Sequence, residues 1–316
     1  MTQPAPQPAA SKTIQVAKQT VAISGASGMV GAALAAVLSD SGHRTLSIAR
    51  KVSDSDKHNI LWDPASGLKN PSQLTGVDTI VHLAGENIAA GRWTTALKDR
   101  IRRSRVEGTR SLVKSIATLS QRPKTLVCAS AVGYYGDRGD TVLDENAAAG
   151  TGFLAEVCCD WEHEAQAAVE LGLRVVCVRI GVVLSPKGGA LAKMLLPFKL
   201  GLGGIVGSGK QYWSWIGLHD LVRIIAFCVE NEAVHGAVNA VSPNPMTNYD
   251  FTKGVGKALH RPTIFPMPAF VAKTVLGEMA DELLLSSLRV VPKKLQETGF
   301  RYDYPELVGC LEHELT

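Results

Sequence analysis

Residues 20–31 read Thr-Val-Ala-Ile-Ser-Gly-Ala-Ser-Gly-Met-Val-Gly. A short apolar run, Val21 to Ile23, enters a turn carrying Gly25, Gly28 and Gly31, and a helix-periodic stretch from Met29 to Leu38 follows. Each glycine has its own physical use. Gly25 lets the chain turn sharply, Gly28 lets the backbone approach a pyrophosphate, and Gly31 lets a helix pack close on a strand. The helix start adds free N–H groups and the positive end of its dipole, which suit phosphate oxygens. This is the chemistry of a dinucleotide cradle, and Gly25, Ser27, Gly28, Met29 and Gly31 are its candidate residues. The spacing is G-x-x-G-x-x-G, not the commoner G-x-G-x-x-G, so the flanking strand and helix carry much of the argument. The plain alternative is a strand-to-helix turn whose glycines serve sterics alone.

The second apolar run, Leu46 to Ala49, ends in Arg50 and Lys51, with no acid before Asp54. In a dinucleotide fold this strand end meets the adenosine ribose. An acid there takes the 2′-hydroxyl of NAD, and a cation accommodates the 2′-phosphate of NADP. A guanidinium forks onto phosphate with two bonds and sits poorly against a bare ribose. Arg50 and Lys51 therefore favour NADP, against the plain reading of two solvated residues. Leu83, Ala84 and Gly85 close the run Asp78–Ala84 and are expected to let the cofactor pass near the backbone. In the basic stretch Lys98–Arg105, helical periodicity puts Arg100, Arg103 and Ser104 on one face and Ile101, Arg105 and Leu112 on the other. Arg105 is expected to turn inward towards phosphate. The remaining charges read as a solvated face, and without interleaved aromatics they do not suggest nucleic acid.

Positioning these residues requires strands that alternate with helices. Apolar runs at 46–49, 59–62, 78–84, 124–129 and 173–180 are rich in Val, Ile and Leu, as strands covered on both faces should be. Helical patterns at Gly31–Ser41, Thr94–Leu119 and Phe153–Leu171 separate most of them. The fold class expected is α/β, a Rossmann-type doubly wound parallel sheet over residues 19–183. From Leu184 glycine and proline become frequent, with helices expected at His219–Glu230, Asn248–Leu259, Pro268–Leu276 and Ala280–Leu288. Residues 184–316 thus read as a smaller, mostly helical substrate-binding region with a soft boundary, since the chain can cross back to the sheet. Tyr212, Trp213 and Trp215 among the glycines of 201–216 read as an aromatic substrate lid.

Composition narrows the class. The 316 residues are 46% hydrophobic and 20% charged, those of a globular protein, and a net charge of +4 does not by itself call for a polyanionic partner. No apolar run approaches the ~18 residues of a membrane span. Six cysteines without C-x-x-C spacing read as free thiols in a reducing compartment, Cys128, Cys177 and Cys228 as small buried hydrophobes, with a redox pair at Cys158–Cys159 as the alternative. No metal-ligand cluster is apparent. Residues 1–18 lack acids and an apolar signal core, so the chain does not read as secreted. They read as a disordered lead-in or the remnant of an organelle-targeting region, implying the cytoplasm or the interior of a plastid or mitochondrion.

Together these residues resemble the extended, nucleotide-sugar-epimerase-like branch of the short-chain dehydrogenase/reductase superfamily. The glycine turn, His82–Gly85, Ser130–Gly136, Arg179–Val183 and Trp215–Asp220 follow that pattern in order. The chain is more closely similar to an atypical epimerase-family subgroup, once called cell-division-inhibitor-like, with plant plastid-division and human NADP-binding relatives. Its phrases stand here as Ala84–Asn87, Gly91–Trp93, Ala131–Gly136, Phe153–Cys158, Gly188–Ala190 and Val291–Lys294, and the likeness covers about residues 20–312. The resemblance implies NADP contacts at Arg50, Leu83, Ala84, Arg105 and near Val182.

The superfamily's catalytic signature does not carry over. It uses Tyr-x-x-x-Lys on the helix after the fifth strand and a Ser at that strand's end, the Lys lowering the phenol pKa. Ser130 stands at the Ser position, but Phe153 and Val157 stand at the other two and cannot move a proton. Tyr249 and Lys253 have the spacing about a hundred residues too late. A proton donor would have to be Tyr134, just beyond the strand, or Glu156 on the following helix. His219 and Asp220 read as a helix start, with Asp220 serving the first turn. Two functions remain open: an NADP(H)-dependent oxidoreductase or epimerase on a small molecule, and a non-catalytic NADP-binding scaffold or redox sensor, with a link to division or organelle machinery as one form of it. A homodimer is compatible with either.

Overall fold

Eight strands form the central sheet of the computed structural model, which describes residues 17–51 and 59–315. Most of the lead-in, residues 1–16, lies outside the described residues. In chain order the strands are β1 (Thr20–Ser24), β2 (Arg44–Ala49), β3 (Asn59–Asp63), β4 (Gly67–Leu68), β5 (Thr79–His82), β6 (Thr125–Ala131), β7 (Arg174–Ile180) and β8 (Gly236–Ala240). Their spatial order is β8-β7-β6-β5-β1-β2-β3-β4, and every neighbouring pair is parallel except β3–β4. The chain runs from β1 to β2 on one side and returns to β5 on the other. That reversal opens a crevice at the carboxyl ends of β1 and β5, where open α/β sheets bind ligands. The expected Rossmann-type architecture is present.

The helices include α1 (Met29–Asp40), α2 (Thr95–Ala117), α3 (Phe153–Gln166), α4 (Gly189–Lys199), α5 (Leu218–Glu230), α6 (Asn248–Leu259) and α7 (Ala269–Leu276), with two more, Lys293–Glu297 and Leu307–Leu315, near the end. The central strands are apolar on both faces because helices cover both. Val21, Ile23, Val81, Val127, Val176 and Val178 pack with α1 and α5 on one side. Ala22, Ile80, Leu126, Cys128 and Cys177 pack with Leu112 and Ile116 of α2 and Trp161 and Ala165 of α3 on the other.

After residue 184 the chain leaves the sheet, yet it does not stay away. Helix α5 packs on α1 and β8 pairs with β7, so residues 218–240 complete the sheet and the helical layer on that face. Helix α4 was hidden in the sequence by Gly188, Gly189 and an internal Pro197. The helix expected at Ala280–Leu288 is a short helical turn, Glu278–Ala280, running into a π-helical turn, Asp281–Leu285.

The aromatic lid is overturned. Trp215 is 1% exposed and Trp213 5%. Trp215 lies in a short strand, Trp215–Gly217, parallel to Val182–Leu184. Trp213 packs on Phe251 with ring centroids 5.2 Å apart, and its Nε1 donates to the Leu284 carbonyl at 3.2 Å. Glycines beside large aromatics suggested a surface loop, but the area a Trp can bury decides in favour of the core.

The last fifty residues are tied to the first half. Arg289–Val290 pairs with Val142–Leu143, and the Glu145 carboxylate accepts from the backbone N–H groups of Asn239 and Lys294. Five of the six free cysteines are buried, and burial pushes the Cys158 thiol up to about 12, which disfavours a reactive thiolate there. Among the described residues no helix is long and apolar enough to cross a membrane.

Candidate functional site

The glycine turn lies in the crevice beside β5. Gly25 has φ +72°, and a Cβ there would sit 3.0 Å from the Ala84 nitrogen and from the Leu83 carbonyl carbon. A Cβ on Gly31 would sit 2.2 Å from the Gly25 oxygen, so α1 rests directly on the turn. The Gly25 carbonyl also accepts from the Gly28 N–H at 2.9 Å. Helix α1 starts at Gly28 with no side-chain cap and no acid in its first turn, while Ser27 and Gly28 are exposed. Its opening N–H groups are thus offered to the crevice. Met29 lies against the start of α4, where a Cβ on Gly188 would be 3.2 Å from its sulfur.

Register sets the opposite wall. Ser24, the last residue of β1, stands beside His82, the last of β5. The Ser24 hydroxyl accepts from the Leu83 N–H at 3.1 Å and the Ala84 N–H at 3.3 Å, and bonds His82 Nδ1 at 2.6 Å. Having accepted two amides, the hydroxyl is assigned as donor to Nδ1, which places the ring proton on Nε2. His82 is fully buried against Trp62, edge to face at 5.5 Å, and burial pushes its pKa down to about 4. A neutral imidazole therefore locks the edge formed by Leu83, Ala84 and Gly85.

Arg105 turns inward beneath that edge. Its Nη1 donates to the Glu86 carbonyl at 3.0 Å, and the guanidinium lies 5.2 Å over the Trp161 ring. A Cβ on Gly85 would be 3.3 Å from its Cζ. The other arginines of α2 face outward, Arg102 and Arg110 pairing with Asp160 and Glu164 of α3. Arg50 and Lys51 are exposed where β2 ends beside β1, and Val182 is half-buried with its N–H on the Ser214 carbonyl at 2.8 Å.

Beyond β6 lies a buried polar network. The Ser130 hydroxyl donates to Glu162 Oε1 at 2.6 Å. Arg179, register partner of Ser130, grips Glu162 with two bonds of 2.8 Å. Burial opposes the Arg179 charge, but the Glu162 bonds and attraction outweigh it and raise the guanidinium above its ordinary range. Arg179 Nη1 also donates to the Tyr135 hydroxyl at 2.9 Å, which donates onward to Asn239 Oδ1 at 2.7 Å. Burial pushes the Tyr135 phenol up to about 12. Tyr134 covers the other side of Arg179, its ring centroid 3.5 Å from Cζ. Glu156 is exposed in the first turn of α3. Phe153 packs on Trp93 at 5.2 Å and Val157 is buried, so both are packing positions. The Phe153 N–H donates to Glu282 Oε1 at 3.1 Å, and burial raises the Glu282 pKa.

Residues 21–240 match the NAD dependent epimerase/dehydratase family. The chain belongs to that family. Residues 267–314 match a domain of unknown function, DUF1731. The chain is 43% identical over 301 residues to Epimerase family protein Mb2239 of Mycobacterium bovis, covering 95% of this chain and 99% of that protein. The crystal structure of human epimerase family protein SDR39U1 with NADPH aligns with TM-score 0.85 at 36% identity, over 93% of this chain and 98% of that one. A nucleoside-diphosphate sugar epimerase structure from Corynebacterium glutamicum aligns with TM-score 0.79 at 36% identity, over 95% of this chain and 58% of that one.

Within this epimerase-family frame, the glycine turn packs against the Leu83–Ala84 edge with Arg105 beside Gly85, and Ser130 bonds Glu162 while Tyr134 covers Arg179. Tyr249 and Lys253 lie on α6, where Lys253 donates to Thr263 Oγ1 at 3.0 Å. Sequence reasoning missed Ser24, Glu162 and Glu282. Glu162 had a signal: it stands four residues after Cys158 on α3, across from Arg179, which follows the apolar run Val175–Val178 in its strand. Asp220 stands in the first turn of α5, as expected, and also reaches beyond its own helix. Its carboxylate accepts from the N–H groups of Asp303 and Tyr304 at 3.0 and 2.9 Å. His219, Asp220 and Asp303 offer ligand atoms within 4.8 Å, a grouping the sequence did not reveal. Arg223 supplies the cation there, 2.6 Å from Asp220 and 3.2 Å from Asp303.

Proposed function

We propose that this epimerase-family chain binds NADP(H) at the Gly25–Gly31 turn and is an oxidoreductase or epimerase acting on a small molecule. The observation that supports the reading is the close seating of the glycine turn, in which Cβ atoms at Gly25 and Gly31 would collide with the Leu83–Ala84 edge and with the turn itself, beside a helix start left uncapped by side chains. The residues fit the cofactor. The uncapped start of α1 suits the pyrophosphate, the Leu83–Gly85 edge suits the adenosine, and Arg50 with Lys51 suits a 2′-phosphate. The NADPH held by the human relative's crystal structure supports the same choice.

When bound, the nicotinamide gives or takes a hydride, so the chain must handle a proton. Phe153 and Val157 cannot, and Tyr135 is raised by burial and committed to Asn239. Tyr134 is the remaining phenol beside Ser130, and we assign it the proton, with Ser130 accepting or donating the substrate's hydrogen bond. The apolar pair at Phe153 and Val157 favours the second reading, a non-catalytic NADP-binding scaffold or sensor.

Thermal stabilisation tests the cofactor: NADPH is expected to raise Tm more than NADH does, and Arg50→Asp to abolish the difference. Equal stabilisation of the wild type by both would refute the NADP assignment. A turnover screen with NADPH against carbonyl compounds and nucleotide sugars tests the enzyme reading, with Tyr134→Phe expected to remove activity and leave Tm unchanged. Tight NADPH binding without turnover on any substrate would favour the scaffold.

A further inference from the structure

Helix α4 ends in Leu196, Lys199 and Leu200, and a ribbon follows in which 201–206 runs beside 262–267. The ribbon is held by bonds from the Met267 N–H to the Ile205 carbonyl and from the Gly207 N–H to the Met267 carbonyl. Arg261 Nε closes one end on the Lys199 carbonyl at 2.9 Å. Along this surface Leu196 is 66% exposed, Leu200 65%, Ile264 68% and Phe270 71%, with Leu202 and Phe265 above half. Isolated exposed apolar residues are ordinary, but so many on one ribbon and the helix ends feeding it mark a contact surface.

Charge identifies the occupant. No Asp or Glu occurs from Leu171 to His219, nor from Phe251 to Gly277, the two stretches within which this face lies; the first also carries the buried strand β7. They bring Lys187, Lys193, Lys199 and Lys210, and Lys253, Lys257, Arg261 and Lys273. Lys273 pairs with Asp281, but among the described residues Lys199, Lys257 and Arg261 have no carboxylate partner. A second copy of the chain would set these cations against their own kind. The apolar side chains also stand out from a ribbon and helix ends, where a protein partner would need matching hollows and a fluid surface would not. We propose that this face docks on an anionic lipid bilayer, its apolar side chains entering the headgroup boundary and its cations meeting lipid phosphates. The inference stands whether or not the proposed NADP(H) function holds.

Flotation of the whole protein with vesicles tests it. The wild type is expected to float with phosphatidylcholine–phosphatidylglycerol vesicles, to stay behind with phosphatidylcholine alone, and to release as salt is raised. Lys199→Ala and Lys257→Ala should each weaken partitioning about fivefold, the equivalent of about 1 kcal/mol per cation. Phe270→Asp should abolish flotation while Tm stays at the wild-type value, and Leu200→Asp carries the same test if Phe270→Asp lowers Tm. Failure to float with the anionic vesicles overturns the proposal. So does flotation unchanged by the Asp variants, or light scattering that shows a dimer split by Phe270→Asp.

Discussion

Gly31→Ala separates folding from cofactor binding. The new methyl would stand 2.2 Å from the Gly25 oxygen and 2.8 Å from the Ala26 Cα. Ordinary contact begins near 3.2 Å, so about 1 Å of movement is required. The turn has little room to retreat, because even a Cβ on Gly25 would stand only 3.0 Å from the Ala84 nitrogen and the Leu83 carbonyl carbon. Helix α1 must move outward. Overpacking of this kind costs about 1–3 kcal/mol, and replacing glycine by alanine inside a helix returns about 1 kcal/mol, so the net loss of stability is about 0–2 kcal/mol. Binding suffers more. Displacing the first turn by about 1 Å breaks one or two charge-assisted bonds to phosphate, each worth about 1.5–3 kcal/mol, which weakens NADPH binding at least about tenfold. Calorimetric titration reads the affinity and scanning calorimetry the stability. Gly309→Ala is the control, since a Cβ there meets nothing within 4 Å. NADPH affinity within twofold of wild type in Gly31→Ala would refute the close seating of α1.

Three further outcomes follow from the buried polar groups. Burial lowers the His82 pKa to about 4, so between that value and the ordinary value near 6.5 the unfolded chain binds the extra proton and the folded chain does not. Stability therefore rises with pH across this window, and urea unfolding should show roughly 2 kcal/mol lost between pH 7 and pH 5, a loss that His82→Gln removes. Ser24→Ala removes the hydroxyl partner of the Ala84 amide and of His82, leaves the Leu83 N–H on the Ser24 carbonyl, and should cost about 1–3 kcal/mol in the same assay. Glu162→Ala leaves Arg179 charged and buried, with an expected cost of about 3–5 kcal/mol, whereas replacing both by apolar residues should cost less.

The sheet was legible because its strands are apolar on both faces and its helices carry a clear periodicity. The cradle was legible for a similar reason: glycine at three fixed positions reflects close approach of backbone to backbone, which a sequence records directly. Helix α4 was not, since Gly188, Gly189 and Pro197 each argue against a helix locally and only packing of Leu191, Leu195 and Phe198 into the core overrides them. Trp213 and Trp215 were misread because local glycine content was weighed above buried area. The polar network behind Ser130 depends on register. Ser130 meets Arg179 through strand pairing, and Glu162 joins them from a helix, a convergence that no spacing along the chain records.

The cap that Glu282 places on Phe153 spans 129 residues of chain, and the bond from Lys294 to Glu145 spans 149. At a translation rate of about 5–20 residues per second, the start of α3 leaves the ribosome roughly 6–30 s before its cap exists. Through that interval the first half of the sheet has its strands and core but lacks the contacts that finish the helix beside Ser130. The nascent chain therefore waits on its own last fifty residues, and a stop codon between Gln166 and Glu282 yields a protein with its glycine turn and α3 encoded but that helix start uncapped.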